Sequence, residues 1–140
     1  MAQMDRPQVD DFLAATRIAK LVTLNADGSP NVVPVWFEWD GAEALVFTTR
    51  TSAKVRRIRR DPRVALSVEE GVGVPEAWVS IEGTATVESA GAWSLIERLT
   101  PRYYDAVKAR ETLLSWGQMK DEWVVIRVEP ARIRSSAPEG

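Results

Sequence analysis

The hydroxyls and cations between Thr48 and Arg60 are the residues of this chain whose types and spacing lend themselves to chemistry. An apolar run of Leu45, Val46 and Phe47 gives way to Thr48, Thr49, Arg50, Thr51 and Ser52. A basic segment follows, carrying Lys54, Arg56, Arg57, Arg59 and Arg60. Thr51 or Ser52 is placed to cap a helix there, with Asp61 and Pro62 closing it. A helix start presents free N–H groups and a positive dipole end. With a hydroxyl cap and a lysine in its first turn it makes an anion site, most often for phosphate. Lys54 and Arg57 are three residues apart and share one helix face, while Val55 and Ile58 form an apolar face. Arg56, Arg59 and Arg60 project elsewhere. The alternative is a solvated, capped surface helix whose arginines only keep the protein soluble.

Composition narrows the chemistry. A chain of 140 residues is expected to form one domain, 1–140, with a real core. Its formal charge of −2 argues against general nucleic-acid binding, although the segment from Arg50 to Arg63 is locally positive. No apolar run approaches the roughly 20 residues of a bilayer span, and no signal-peptide core is evident at the N-terminus, so a cytoplasmic protein without membrane partners is expected. There is no cysteine and no histidine. Disulfides, thiolate nucleophiles, zinc–thiolate sites, Ser-His-Asp chemistry and imidazole metal ligation are thereby excluded, and no metal site is expected. An enzyme built from this chain relies on a bound cofactor for reactivity.

The elements that position these residues alternate between short strands and helices. Residues 10–15 read as a short helix and residues 18–24 as a first strand. Turn chemistry centred on Asp27 and Gly28 leads to a second strand over 31–39, and Asp40-Gly41 turns it into a third over 44–49. Two such hairpin connections predict a meander, with Pro34 requiring an edge or a bulge. Beyond the basic helix come a fourth strand over 64–68 and a flexible loop over 70–75. A strand of clean alternation follows over 78–88, in which Gly83 marks a bulge or a close backbone approach. Trp93, Ile96 and Leu99 sit at helical spacing before Pro101 interrupts, residues 103–116 read as less regular helix, and a last strand over 122–128 is ended by Pro130. About six strands with two or three helices is α+β, and six antiparallel strands of this length tend to close into a small barrel.

Ala26-Asp27-Gly28-Ser29-Pro30, Val33-Pro34-Val35-Trp36-Phe37, residues 48–54, Arg60-Asp61-Pro62-Arg63-Val64 and Ile81-Glu82-Gly83 stand in an order and spacing that recur in one family. The chain resembles the split-barrel proteins of the pyridoxamine 5′-phosphate oxidase-like (flavin reductase-like) group. Among these it is most similar to small members that use the deazaflavin coenzyme F420. The resemblance runs from about Phe12 to Arg134. It implies a six-stranded, Greek-key split β-barrel, the FMN-binding split barrel, and a homodimer with cofactor sites at the subunit interface. It also implies that the tricyclic ring lies near Val33, Pro34, Val35 and Trp36, with Thr48, Thr49 and Arg50 along its polar edge. Ser52, Lys54 and Arg57 would then take the phosphate, as the helix start suggests independently. Arg57 departs from the pattern, since relatives often carry asparagine there. Trp36 and Trp78 are cofactor contacts, barrel plugs or dimer contacts, and Val35 and Phe37 have a simple core role as their alternative.

Coenzyme F420 and FMN share the tricycle and the phosphate, but the deazaflavin continues through lactate into a tail of glutamate carboxylates. Arg56, Arg59 and Arg60 exceed what one phosphate needs, and guanidinium groups suit repeated carboxylates. The expected activity is therefore hydride transfer between coenzyme F420 and a small organic acceptor. The alternatives are an FMN-dependent oxidoreductase of the pyridoxamine phosphate oxidase type and a non-catalytic flavin or deazaflavin carrier. Oxidation of pyridoxamine phosphate itself needs a second phosphate site, and no second basic cluster with suitable hydroxyls is present. Haem is disfavoured without histidine or cysteine.

Overall fold

The computed structural model describes residues 1–139. The seven strands are β1 (Ala19–Leu24), β2 (Pro30–Val35), β3 (Glu38–Trp39), β4 (Ala44–Thr49), β5 (Arg63–Glu69), β6 (Trp78–Glu88) and β7 (Trp123–Ser136). The four α-helices are α1 (Arg6–Ala14), α2 (Ala53–Arg60), α3 (Ala92–Tyr103) and α4 (Ala106–Trp116), and a 3₁₀ segment, Gly117–Glu122, precedes β7. No helix among the described residues is long and apolar enough to cross a membrane.

All strands join one antiparallel sheet in the order β2-β1-β5-β6-β7-β4-β3. The α+β architecture and the barrel-like sheet agree with the sequence reading, with one strand more and with four α-helices where two or three were expected. The extra strand arises because the expected second strand over 31–39 is two strands. β2 pairs with β1 at one edge and β3 pairs with β4 at the other, separated only by Trp36 and Phe37. Three residue steps reach at most about 11 Å, so the two edges must meet at that corner and the sheet must curl. The meander expected from β1 through the third strand is therefore two separate hairpins. Pro34 lies in the edge strand β2, where a missing donor removes no ladder bond on the open side.

Two apolar clusters result. Inside the curl, Leu21, Leu66, Val68, Val79, Ile81, Val46 and Ile126 pack around Phe37 and Leu13. On the outer side of β4 and β7, Leu45, Trp123 and Val125 pack against Leu95, Ile96 and Leu99 of α3. β4 is thus covered on both faces, which is why Leu45-Val46-Phe47 is a continuous apolar run. Pro101 does not end α3. It lies exposed in the last turn, and the Tyr104 N–H closes the helix on the Thr100 carbonyl at 3.0 Å.

β7 likewise continues through Pro130 to Ser136, beyond the end expected at Pro130. The register with β6 slips between Glu82 and Gly83, so that Gly83 faces Pro130 and Glu82 faces Arg132. The bulge leaves Ala131 without a partner next to Pro130, which has no N–H to give to the ladder. A Cβ on Gly83 would overlap the Glu129 carbonyl oxygen and lie 2.9 Å from its carbon and 3.2 Å from the Pro130 Cα. These are backbone atoms of a paired strand and cannot swing away. Gly83→Ala is expected to lower folding stability by about 1–3 kcal/mol or more, read by urea unfolding. An unchanged midpoint would show that the bulge relaxes freely.

Candidate functional site

Ser52 is the N-cap of α2, its hydroxyl accepting the Val55 N–H at 3.4 Å. Val55 and Ile58 are buried beneath the helix, which turns Lys54 and Arg57 together along its flank. The barrel corner supplies the facing wall. Pro34, Val35 and Trp36 leave the end of β2 and, with Ile18, Phe47, Lys54 and Trp116, line a cleft of about 370 Å³.

The cleft walls are aromatic and mutually braced. The Trp36 ring stacks on Tyr103 with centroids 4.8 Å apart and planes 4° from parallel, and meets Tyr104 edge-on at 4.8 Å. Phe47 is perpendicular to Trp36 at 5.9 Å and to Trp116 at 5.7 Å. The Trp123 indole N–H donates to the Trp116 carbonyl at 3.2 Å, tying the end of α4 to β7. The Tyr103 hydroxyl donates to the Arg17 carbonyl at 2.7 Å and accepts the Phe37 N–H at 3.3 Å, while burial pushes its pKa up. That hydroxyl is therefore a brace and stays protonated. Such a cleft accepts a flat apolar ring with an anion at its lysine end.

Lys54 brings the only formal charge to the cleft lining. Burial pushes its ammonium below the ordinary lysine range, and the charge of Arg57 adds to the effect. Among the described residues no carboxylate pairs with Lys54, Arg56, Arg57, Arg59 or Arg60, whereas Arg6, Arg17, Arg98, Arg127 and Arg134 each have one. Asp61, the one acid within the basic stretch, is held by the Arg63 guanidinium, which lowers its pKa to about 2. The flank of α2 is thus an uncompensated positive surface.

Of the residues singled out in the sequence, Pro34, Val35, Trp36 and Lys54 meet in this cleft. Ser52 and Arg57 lie on α2 beside Lys54 but are not among the residues that line the cleft, and Arg57 donates from Nε to the Asn25 side-chain oxygen at 2.9 Å. Val33 is half-buried opposite Leu21 in the β1–β2 ladder. Thr48 is buried and pairs with Val124, and Thr49 pairs with Trp123. Arg50 turns towards the 3₁₀ segment, where its guanidinium donates to the Asp121 carbonyl at 2.5 and 3.2 Å. Trp78 lines a different depression with Gln3, Ile133 and Arg134, so within one chain it does not reach the cleft. Ile18, Phe47 and Trp116 complete the lining. Phe47 was findable from strand alternation, since it shares a face with Thr49. Trp116 was not, because nothing local links the end of α4 to β2.

The chain belongs to the family described as pyridoxamine 5′-phosphate oxidase, whose model matches residues 6–137. Over 80 residues it is 40% identical to an F420H(2)-dependent biliverdin reductase of Mycobacterium tuberculosis, a match that spans 56% of each protein. Among solved structures it resembles a conserved hypothetical protein of M. tuberculosis, at 29% identity and a TM-score of 0.76, with 96% of this chain and 85% of that one covered. It also superposes on an F420 reductase at 24% identity and a TM-score of 0.71, covering 89% and 94% of the two chains, which is a likeness of fold.

The lowered pKa of Lys54 has a stability consequence of defined sign. Between its folded value and the ordinary lysine value the unfolded chain binds more protons, so stability rises with pH across that window. Below the window the charged amine opposes folding. In the unliganded protein Lys54→Met is therefore expected to unfold at the same temperature as the parent or higher near neutral pH. Its advantage should shrink as pH climbs towards 10.5. Thermal scans in a series of buffers measure this, and a variant that melts earlier near neutrality would mean that Lys54 has an anionic protein partner.

Proposed function

We propose that this protein is a coenzyme F420-dependent reductase that passes a hydride from the reduced deazaflavin to an organic acceptor. The observation that carries the reading is the union of an aromatic cleft with a helix that carries five cations and, among the described residues, no carboxylate paired with them. Trp36, Pro34, Val35 and Phe47 would flank the tricycle, with Lys54, Arg57 and the Ser52-capped helix start at its phosphate. When bound, the deazaflavin supplies the hydride. The chain's own part is to hold the ring flat, exclude water from its covered face and leave one side open. Tyr103 is committed to its brace, which leaves solvent, the neighbouring Tyr104 or the substrate itself as the source of the proton that completes acceptor reduction. The partial likeness to a biliverdin reductase makes an open-chain tetrapyrrole the first acceptor to try.

Beyond the phosphate, Arg59 and Arg60 are exposed and unpaired, and Arg56 is turned back to donate to the Thr51 carbonyl at 2.6 Å. A chain of carboxylates neutralises such a row, and FMN has none to offer. Tighter binding of coenzyme F420 than of FMN is expected in fluorescence titrations. Replacing Arg56, Arg59 and Arg60 together by glutamine should weaken the long-tailed coenzyme while FMN affinity barely moves. The difference should fade with salt, as screening over about 10 Å at 0.1 M requires. Equal loss for both ligands would remove the case for the deazaflavin and leave an FMN protein or a carrier.

The same reading includes a homodimer in which the partner completes the cleft. Val32 is 60% exposed on the outer face of the edge strand β2. Beside it Val22, Leu24 and Ala65 line an apolar depression of about 320 Å³. An open edge beside exposed apolar side chains is what a second subunit covers. Light scattering at micromolar concentration is expected to give twice the chain mass. A monomer would confine the site to the residues named above.

A further inference from the structure

We infer that Asn25, in the β1–β2 turn, is a positioning residue that orients the Arg57 guanidinium for an oxyanion without spending its charge. This rests on the reading of Lys54 and Arg57 as phosphate ligands. Five other arginines have Nε held by a side-chain carboxylate: Arg6 by Asp10, Arg17 by Glu70, Arg63 by Asp61, Arg98 by Glu38 and Arg127 by Glu88. Each is an oriented but neutralised cation. Arg50 and Arg102 give Nε to uncharged oxygens but spend a terminal nitrogen on a backbone carbonyl as well, whereas Arg57 donates only from Nε, to the neutral amide oxygen Asn25 Oδ1, at 2.9 Å in a half-buried setting. Its two terminal nitrogens have no protein acceptor among the described residues, and they form the edge of the fork that grips phosphate in a bidentate fashion.

The amide is itself fixed. Asn25 Nδ2 donates to Ser29 Oγ at 3.2 Å, so its oxygen is the end that faces Arg57. The Ser29 hydroxyl donates onward to Asp27 Oδ1 at 2.6 Å, and the Asp27 carboxyl is lowered by that bond and by the Ser29 N–H. The backbone closes the same turn, Asn25 N–H to the Ser29 carbonyl at 2.8 Å and Gly28 N–H to the Asn25 carbonyl at 2.9 Å. The hydrogen-bonded hairpin end thus holds the arginine at the neck of the guanidinium, while the carboxylate of the same turn, Asp27, is spent on Ser29. Burial first and the charge of Arg57 second hold the Lys54 pKa below the ordinary lysine value, so the two cations stand close together.

The test uses two ligand pairs that differ only in the phosphate: riboflavin with FMN, and the ribityl deazaflavin with its 5′-phosphate. The quantity read is the gain in affinity that the phosphate brings. Asn25→Ala should cut that gain about 3- to 10-fold, the scale of one hydrogen bond, while affinity for the phosphate-free ligands stays within about twofold. Asn25→Asp keeps an acceptor and a good turn residue but cancels the charge, so it should fold as the parent does and lose at least as much of the gain. In an Arg57→Ala background neither change at Asn25 should cost anything further. If Arg57→Ala abolishes the gain and both Asn25 variants keep it, the positioning role is wrong and the phosphate reading stands. If Arg57→Ala and Lys54→Ala both keep the gain, the phosphate reading falls, and this inference with it. Parallel losses for ligands with and without phosphate would make Asn25 a structural turn residue only.

Discussion

The chain must cross from one edge of the sheet to the other in two residues, and the site depends on how that crossing is held. Phe37 plugs the inner cluster and is 1% exposed, whereas Trp36, one residue earlier, points the opposite way and rests on Tyr103. A single hydroxyl, that of Tyr103, takes the Phe37 N–H and gives its own proton to the Arg17 carbonyl. The corner is therefore pinned from the core side and from the helix side at once. Closing the sheet at this point brings the end of β2 beside α2, and so puts an apolar wall within reach of Lys54.

The opposite wall is stiff for a different reason. β4 and β7 lie between the inner cluster and α3, so Phe47 and Trp123 are fixed by packing on both faces of their strands. Phe47, Trp116, Trp123 and Trp36 then meet at mostly steep angles with centroids 5.2–6.1 Å apart. Edge-to-face contacts of this kind favour one arrangement over the alternatives, which suits a slot for a flat ring. The cluster also carries α4 and the 3₁₀ segment, to which Arg50 is tied.

Electrostatic compensation is uneven across the surface. Arg6, Arg17, Arg63, Arg98, Arg127 and Arg134 sit within ion-pairing distance of a carboxylate, and such surface pairs contribute little to stability. The cations of α2 have none, and Lys54 is partly desolvated besides. Leaving charge uncompensated opposes folding, and an anionic ligand reverses that cost on binding. In the same way the neutral amide of Asn25 keeps Arg57 oriented and fully charged.

The strand periodicities, the Ser52 cap, the two faces of α2 and the bulge at Gly83 were all legible in the sequence, because each depends on residues close to one another along the chain. So was the hydroxyl-capped basic helix, in a chain without histidine or cysteine. The split of residues 31–39 was not legible, because one continuous apolar pattern serves two strands and only the ring closure of the sheet tells them apart. The extension of β7 past Pro130 was hidden for a similar reason, since the glycine that admits it lies on a different strand. Trp116, Tyr103 and Asn25 come to the site from the far end of α4, the end of α3 and a hairpin turn. The sequence determined which groups exist and which local faces they share. The tertiary structure alone decided which faces meet, because the free energy that brings them together is the burial of an apolar surface distributed over the whole chain.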